Sequence, residues 1–467
     1  MKPGEPFIHT AYTAPRGWTY GAHEIGNTLF LLPTAWFNIL LEPFLAGRIS
    51  ADLVARLQQF IVSFQASLYS AITATAFYGT LRSGFAQTPL QSLLATGTLA
   101  FTTFFWLYAR NLYDGVLCAT LLMLSFWLLV LYKRQPSTLK LVIIYMLLGF
   151  GIITRLSMLL PIVATSFYVA LVHRRAPLRI LRAAAIAALT LVPFALWQAW
   201  YNGLRTGLLH KSPVQMPVYA HNNGLDGNFW EGATGLLLSP GKSIFVYMPL
   251  LLLALLLLGK FYRDFPLEGI YILLLAVPWF LLHANLQSWY GAWGWGPRHF
   301  VTVLPIFILP LAVNLPYFWA RSRWRWPTLM LGLWGFVLAI AALISNWHFR
   351  MVLARQEGRL REELFVWSWH QSQAIDMLRA AGGNIVRMMT GGPPITIAAE
   401  YSEANEYVSS TLNLWPNALI AAGVPWYAAI AATLPLWLLL MGSGWVWYHH
   451  YSGLGARGSR QLPPEQA

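Results

Sequence analysis

Stretches of about 20 apolar residues, long enough for a helix to cross roughly 30 Å of hydrocarbon, recur along the whole chain. They fall near 58–81, 91–109, 114–133, 139–154, 156–173, 183–202, 243–260, 267–284, 301–319, 327–347 and 424–446. A chain with this pattern has few folds open to it, because every backbone polar group inside lipid must be satisfied internally, and helices do that segment by segment. Of the 467 residues only 10% are charged, against about 25% in a soluble domain. The expected fold is an all-α polytopic membrane protein of about eleven transmembrane helices. The lone cysteine, Cys118, excludes an internal disulfide framework and any cysteine-based zinc site.

A formal charge of +14 suggests nucleic acid until its distribution is read. Lys133, Arg134 and Lys140 share one connection, Arg174, Arg175, Arg179 and Arg182 another, Lys260 and Arg263 a third, and Arg321, Arg323 and Arg325 a fourth. Arg82, Arg457 and Arg460 complete the set. Placing all of them in the cytoplasm lets the spans alternate without conflict, as the positive-inside bias requires. The basic excess orients the protein in its membrane, and nucleic acid is excluded as a partner. The C-terminus is then cytoplasmic and the N-terminus external, with no leading helix ahead of residues 1–57 to export them; a start cut short is expected.

The opposite face collects the chemically suggestive residues: 1–57, the turns at Arg110–Asp114 and Thr154–Arg155, the loops 203–242 and 284–300, and the segment 348–423. The run 139–173 begins and ends beside cytoplasmic charge, so it turns back near Thr154 and carries Arg155 to the outer end of a hairpin. An ionisable residue at that depth is a functional candidate, although an arginine reaching for the interface is the plain alternative. Asp114 stands where an external turn enters a helix, a position also suited to helix capping. The loop "LHANLQSWYGAWGWGPRHF" interleaves Trp289, Tyr290, Trp293 and Trp295 with Gly291, Gly294 and Gly296. An interfacial aromatic belt explains the rings but not the glycines, which permit close backbone approach. Arg298 and His299 follow at an inward-running helix start, and Lys242 in "SPGKS" stands at another. His210, His221 and His283 share no metal-ligand spacing.

Several segments, in order, resemble the GT-C glycosyltransferases, multi-spanning enzymes that include protein O-mannosyltransferases and the aminoarabinose transferases of lipid A. "TYGAHEIGNTLFLLPTAWFNILL" followed by "ADLVARLQQ" is similar to that family's first external loop, with an amphipathic helix along the membrane. "LATGTLAFTTFFWLYARNLYDGVLCATL" resembles its acid-bearing external turn, and "GFGIITRLSMLLP" its Thr-Lys/Arg hairpin. "GLLLSPGKSIFVYMPLL" and "WYGAWGWGPRHFVTVLPIFILPLA" resemble paired segments of bacterial members. The match covers most of residues 17–320.

The resemblance implies sugar transfer from a polyprenyl-phosphate donor at the external face of a bacterial inner membrane, in a GT-C-like bundle with an external amphipathic helix. Asp114 takes the place of the second external carboxylate; the family's first catalytic Asp lies in a part the chain lacks. Arg155, Arg298 and Lys242 are the phosphate-binding candidates, and Trp289, Tyr290, Trp293 and His299 the sugar-binding ones. The resemblance fixes no cofactor, and a divalent metal ion is left open. The partners are the lipid-linked sugar, membrane lipid and an unspecified acceptor. If Arg155 and Arg298 grip one phosphate through charge-assisted bonds, they lie within about 10–12 Å of each other. The organisation is then an external loop with an interfacial helix (1–57), a transmembrane core (58–347), an external subdomain (348–423), and a last span with a cytoplasmic tail (424–467). A surface-polysaccharide polymerase or ligase shares this physics, while a lipid-carrier transporter should show internal repeats that are absent here.

Overall fold

The computed structural model describes residues 11–13, 19–21, 24–213, 224–292, 294–358, 361–390 and parts of 414–443. Two three-residue strands, β1 (Ala11–Thr13) and β2 (Thr19–Gly21), pair antiparallel near the start. All other regular structure among the described residues is helical. Among the described residues, five helices are long and apolar enough to cross a membrane: α1 (Ile25–Leu45), α5 (Asp114–Arg134), α8 (Pro177–Thr206), α12 (Pro266–Ala284) and α15 (Ser322–Ile344). The chain is thus a membrane-embedded helical protein.

The centre of the bundle is α5, flanked by α2 (Ala51–Gly84) on one side and α6 (Thr138–Thr154) on the other. Its sequence has leucines and small residues on all faces, the pattern of a helix surrounded by protein. Asp114 in its first turn and Lys133 and Arg134 in its last complement the helix dipole. Beyond α6, the chain turns through Arg155 and a 3-10 segment, Leu156–Met158, into α7 (Leu159–Val172), which packs on α12. The expected hairpin is therefore present, with Arg155 at its tip in extended conformation.

Several expected spans are interrupted. The run 91–109 divides into α3 (Pro89–Phe101) and a four-residue α4 (Phe105–Tyr108). At the break Thr102 and Thr103 turn their hydroxyls back to the carbonyls of Thr98 and Leu99, and the Thr103 Oγ1 accepts from the Phe105 amide. The run 243–260 divides into α10 (Ile244–Tyr247) and α11 (Leu250–Asp264), with Pro249 at the junction, and α9 (Phe229–Leu238) precedes it within the 203–242 loop. The run 301–319 becomes α13 (Leu304–Phe307) and α14 (Leu309–Ala320). The last expected span, 424–446, is described only in part.

The bundle has two chemically distinct ends. At one, Lys133 donates to both carboxylate oxygens of buried Glu268 at 2.9 and 3.1 Å, and the Tyr168 hydroxyl donates to Oε1 at 2.7 Å. This knot joins the basic ends of α5, α7 and α12. At the other end lie Asp114, Arg155, the 284–300 loop and three further helices, α16 (Trp347–Gln356), α17 (Glu362–Trp367) and α18 (Gln373–Thr390). Asp114 and Lys133, in the first and last turns of α5, thus mark the two ends.

The segment expected as an interfacial helix is α1, continuous over 21 residues despite Pro33 and Pro43. Its Gly26 lies against Thr154, where a Cβ would come within 2.2 Å of the threonine hydroxyl. Phe30 meets Tyr69 and Phe150, Thr34 donates to Gln65, and Asn38 donates to the Gln58 carbonyl. These contacts pair α1 antiparallel with the first half of α2. Trp36, Phe37, Ile39, Leu40 and Phe44 remain exposed on its other side.

Candidate functional site

Three turns meet at the Asp114 end of the bundle. Tyr113 precedes α5, Arg155 follows α6, and Arg298 and His299 lie in a 3-10 turn (Arg298–Phe300) after the aromatic loop. Arg155 joins them: Nη1 donates to the Tyr113 hydroxyl at 3.0 Å and stands 3.9 Å from Asp114 Oδ1, while Nη2 donates to His299 Nδ1 at 2.9 Å. The Arg155 guanidinium carbon is 5.6 Å from the centre of the Tyr113 ring, and that of Arg298 is 5.7 Å from the same centre. The two cations are therefore no further apart than the sum of those distances, within the expected 10–12 Å.

The pair is asymmetric. Arg155 has Asp114 beside it, whereas Arg298 has no carboxylate partner among the described residues, and its buried Nε has no hydrogen-bond acceptor there. A guanidinium held in this way lacks its counter-charge, and a bidentate anion would supply it. Asp114 is about a third exposed, so it remains accessible for proton transfer. The Tyr113 phenol is pushed up by burial, a shift the Arg155 charge partly offsets, and it stays protonated.

His299 is buried, and burial, then the neighbouring His283, Arg155 and Arg298, depress its basicity well below the ordinary value. It is therefore neutral, which leaves Nδ1 free to accept from Arg155, with Nε2 toward the Ser288 carbonyl at 3.4 Å. A depressed folded-state value means that the unfolded chain binds this proton first as pH falls. Nothing is lost above about pH 6.5, and below it the folded state is progressively penalised. The melting temperature of the purified protein should fall as pH drops below that value. His299→Gln should flatten this dependence; an unchanged slope would show that His299 is not responsible.

The glycines of the loop serve Arg298. A Cβ on Gly294 would come within 2.2 Å of the Arg298 Cδ, and one on Gly291 within 2.9 Å of its Cγ. Gly291 and Gly296 also have positive φ, so the loop wraps the arginine stem in a path that other residues resist. Ala292 is forced to φ 45° within it.

Three expectations are corrected, those for Lys242, Trp289 and His299. Lys242 is fully buried, and its Nζ donates to the carbonyls of Ala292 at 3.2 Å and Gly294 at 2.6 Å, so it braces the loop and offers no open phosphate contact. Trp289 is buried against Gly235 and Trp367, a packing wedge with no free face for a sugar. Tyr290 is half-buried beside Trp289 and Phe365. His299 is an acceptor for Arg155 and not itself open to a ligand. Trp293 and His221 lie outside the described residues. His210 is exposed and apart, and among the described residues no three His, Cys, Asp or Glu side chains gather as metal ligands.

Sequence reasoning did not single out Tyr113, which both arginines flank, or Gln373, whose side chain accepts from the Gly296 amide and donates to the Gly294 carbonyl. It also passed over Glu24, which sits just before α1 and pairs at 2.9 Å with fully buried Arg205. Adjacency to Asp114 was the one available hint for Tyr113. No family model and no curated protein matches the chain.

Proposed function

We propose that this chain transfers a sugar from a polyprenyl-phosphate carrier to an acceptor hydroxyl at the outer face of a bacterial inner membrane. The observation that carries the reading is the juxtaposition of Arg155, Arg298 and Asp114 around Tyr113, at the end of an apolar bundle remote from its basic connections. In this reading the Asp114 end faces outward, as positive-inside orientation requires. Shorter helices such as α6, α7 and α14 add crossings to those of α5, α8, α12 and α15. The helix α1 lies along the outer surface, since its partners in α2 precede the level where Thr73 meets Thr120 of α5.

In such a transfer the acceptor oxygen attacks the anomeric carbon as the carbon–phosphate oxygen bond breaks. Asp114 takes the acceptor proton, and the two guanidinium groups receive the charge that develops on the departing phosphate. Inversion follows from the single displacement. Asp114→Asn keeps the shape but removes the base, so transfer from a defined polyprenyl-phosphate sugar should fall by about 10²–10⁴-fold with donor binding retained. Full transfer by the Asn variant would remove Asp114 from the reaction.

A further inference from the structure

A second charged cleft lies at the same end of the bundle, away from Tyr113. It encloses about 260 Å³ between α18 and the junction of α15 with α16, and a neighbouring hollow of about 130 Å³ shares Arg350, Asp376 and Arg379 with it. Asp376, Arg379 and Arg387 form one stripe of α18 at helical spacing, and Arg350 faces them from α16. The single carboxylate is fully engaged: Arg350 Nε donates to Asp376 Oδ2 at 2.9 Å and Nη2 to Oδ1 at 2.7 Å. Among the described residues, Arg379 is tied only to the His370 carbonyl at 2.8 Å, and neither it nor Arg387 forms an ion pair. The lining therefore carries two positive charges in excess.

An independent observation points to a ligand. Ser345 lines the cleft, is 1% exposed, and its Oγ has no hydrogen-bond partner among the described residues. A buried hydroxyl left without a partner is costly, and here it lies in a cavity several times the roughly 30 Å³ of a water molecule. Two forked cations and a neutral donor make a receptor for a tetrahedral oxyanion. Further along the same helix, Ile385, Val386, Met388 and Met389 are exposed, and the helix packs on the membrane-crossing candidate α15.

We propose that this cleft binds a phosphate ester through Arg379, Arg387 and Ser345, and the exposed apolar residues beside it favour a lipid head group as the source. The proposal does not depend on sugar transfer at Tyr113. The full-length protein would be purified in neutral detergent. Native mass spectrometry would measure retention of phosphatidylglycerol against phosphatidylcholine, and thermal shift would titrate inorganic phosphate against chloride at equal ionic strength. Retention of phosphatidylglycerol identifies a lipid source; a phosphate-specific shift without lipid preference identifies a soluble one. In either case, Arg379→Gln with Arg387→Gln should weaken the effect by about tenfold per arginine removed, and Ser345→Ala should weaken it in an intact cleft. Arg379 is exposed and Arg387 partly so, so their loss should not unfold the protein. Absence of both preferences in the wild type, or their survival in the double variant, would overturn the proposal.

Discussion

Arg298→Ala should lower sugar transfer by about 10²–10³-fold, the usual cost of removing one preorganised donor from a developing oxyanion. The side chain is held by the loop around it, as the proposed role requires. Gly291 and Gly294 admit its stem, Lys242 and Gln373 brace the surrounding carbonyls, and its buried Nε has no acceptor among the described residues. Because no carboxylate among the described residues depends on it, removal strands no buried charge, and the thermal midpoint should stay close to that of the wild type. Arg298→Lys keeps the charge but loses the planar fork, so it should recover only part of the rate. Rates measured at limiting and saturating donor, alongside thermal midpoints, check both statements. Wild-type transfer by the Ala variant would leave the aromatic loop as an interfacial belt.

The second large effect is on stability. Arg205 is fully buried in α8, pairs with Glu24 at 2.9 Å, and lies 4.0 Å from the Tyr201 ring centre. Gln198 completes the cluster by donating to Glu24 at 2.6 Å. Arg205→Ala leaves the Glu24 carboxylate, itself only 8% exposed, without its cation. Breaking such a pair typically costs about 3–5 kcal/mol, so the variant should unfold at markedly lower temperature or fail to accumulate. A compensating Glu24→Gln in the same chain should recover part of the loss, since it removes the stranded charge. Equal midpoints for wild type and Arg205→Ala would show that the pair contributes nothing. The cluster anchors the start of α1 beside Thr154, so its loss should also disturb the neighbouring Arg155.

Much of this arrangement is legible from charge and length alone. The run 139–173 is too long for one crossing and is bounded by cationic connections on both sides, which by itself places Arg155 at a turn. The separation of Lys133 and Glu268 from Asp114 and Arg298 follows from the same reasoning. What escapes is whatever depends on which way a side chain turns. Lys242 reads as an open cation at a helix start. Yet Gly241 packs on the Phe365 carbonyl, at 1.9 Å from where a Cβ would sit, and the lysine beside it reaches the Ala292 and Gly294 carbonyls of the loop. Trp289 reads as an interfacial ring, and only the tertiary position of Gly235 shows that it fills a gap. The breaks at Thr102–Thr103 and Pro249 are local hydrogen-bonding and proline effects inside stretches whose hydropathy is uninterrupted. The partner of Arg350 lies 26 residues away on another helix, a pairing that periodicity does not reveal.

The proposed transfer rests on joint binding of a lipid carrier's phosphate by Arg155 and Arg298. Its most direct test is the affinity of the purified protein for a polyprenyl phosphate and for the matching polyprenol, which shares the chain and lacks the charge. The phosphate should bind tighter by about tenfold or more, with that advantage lost in the Arg155→Ala, Arg298→Ala double variant and the polyprenol affinity unchanged. Equal affinities for the two lipids in the wild type, or a phosphate preference that survives in the double variant, would contradict it.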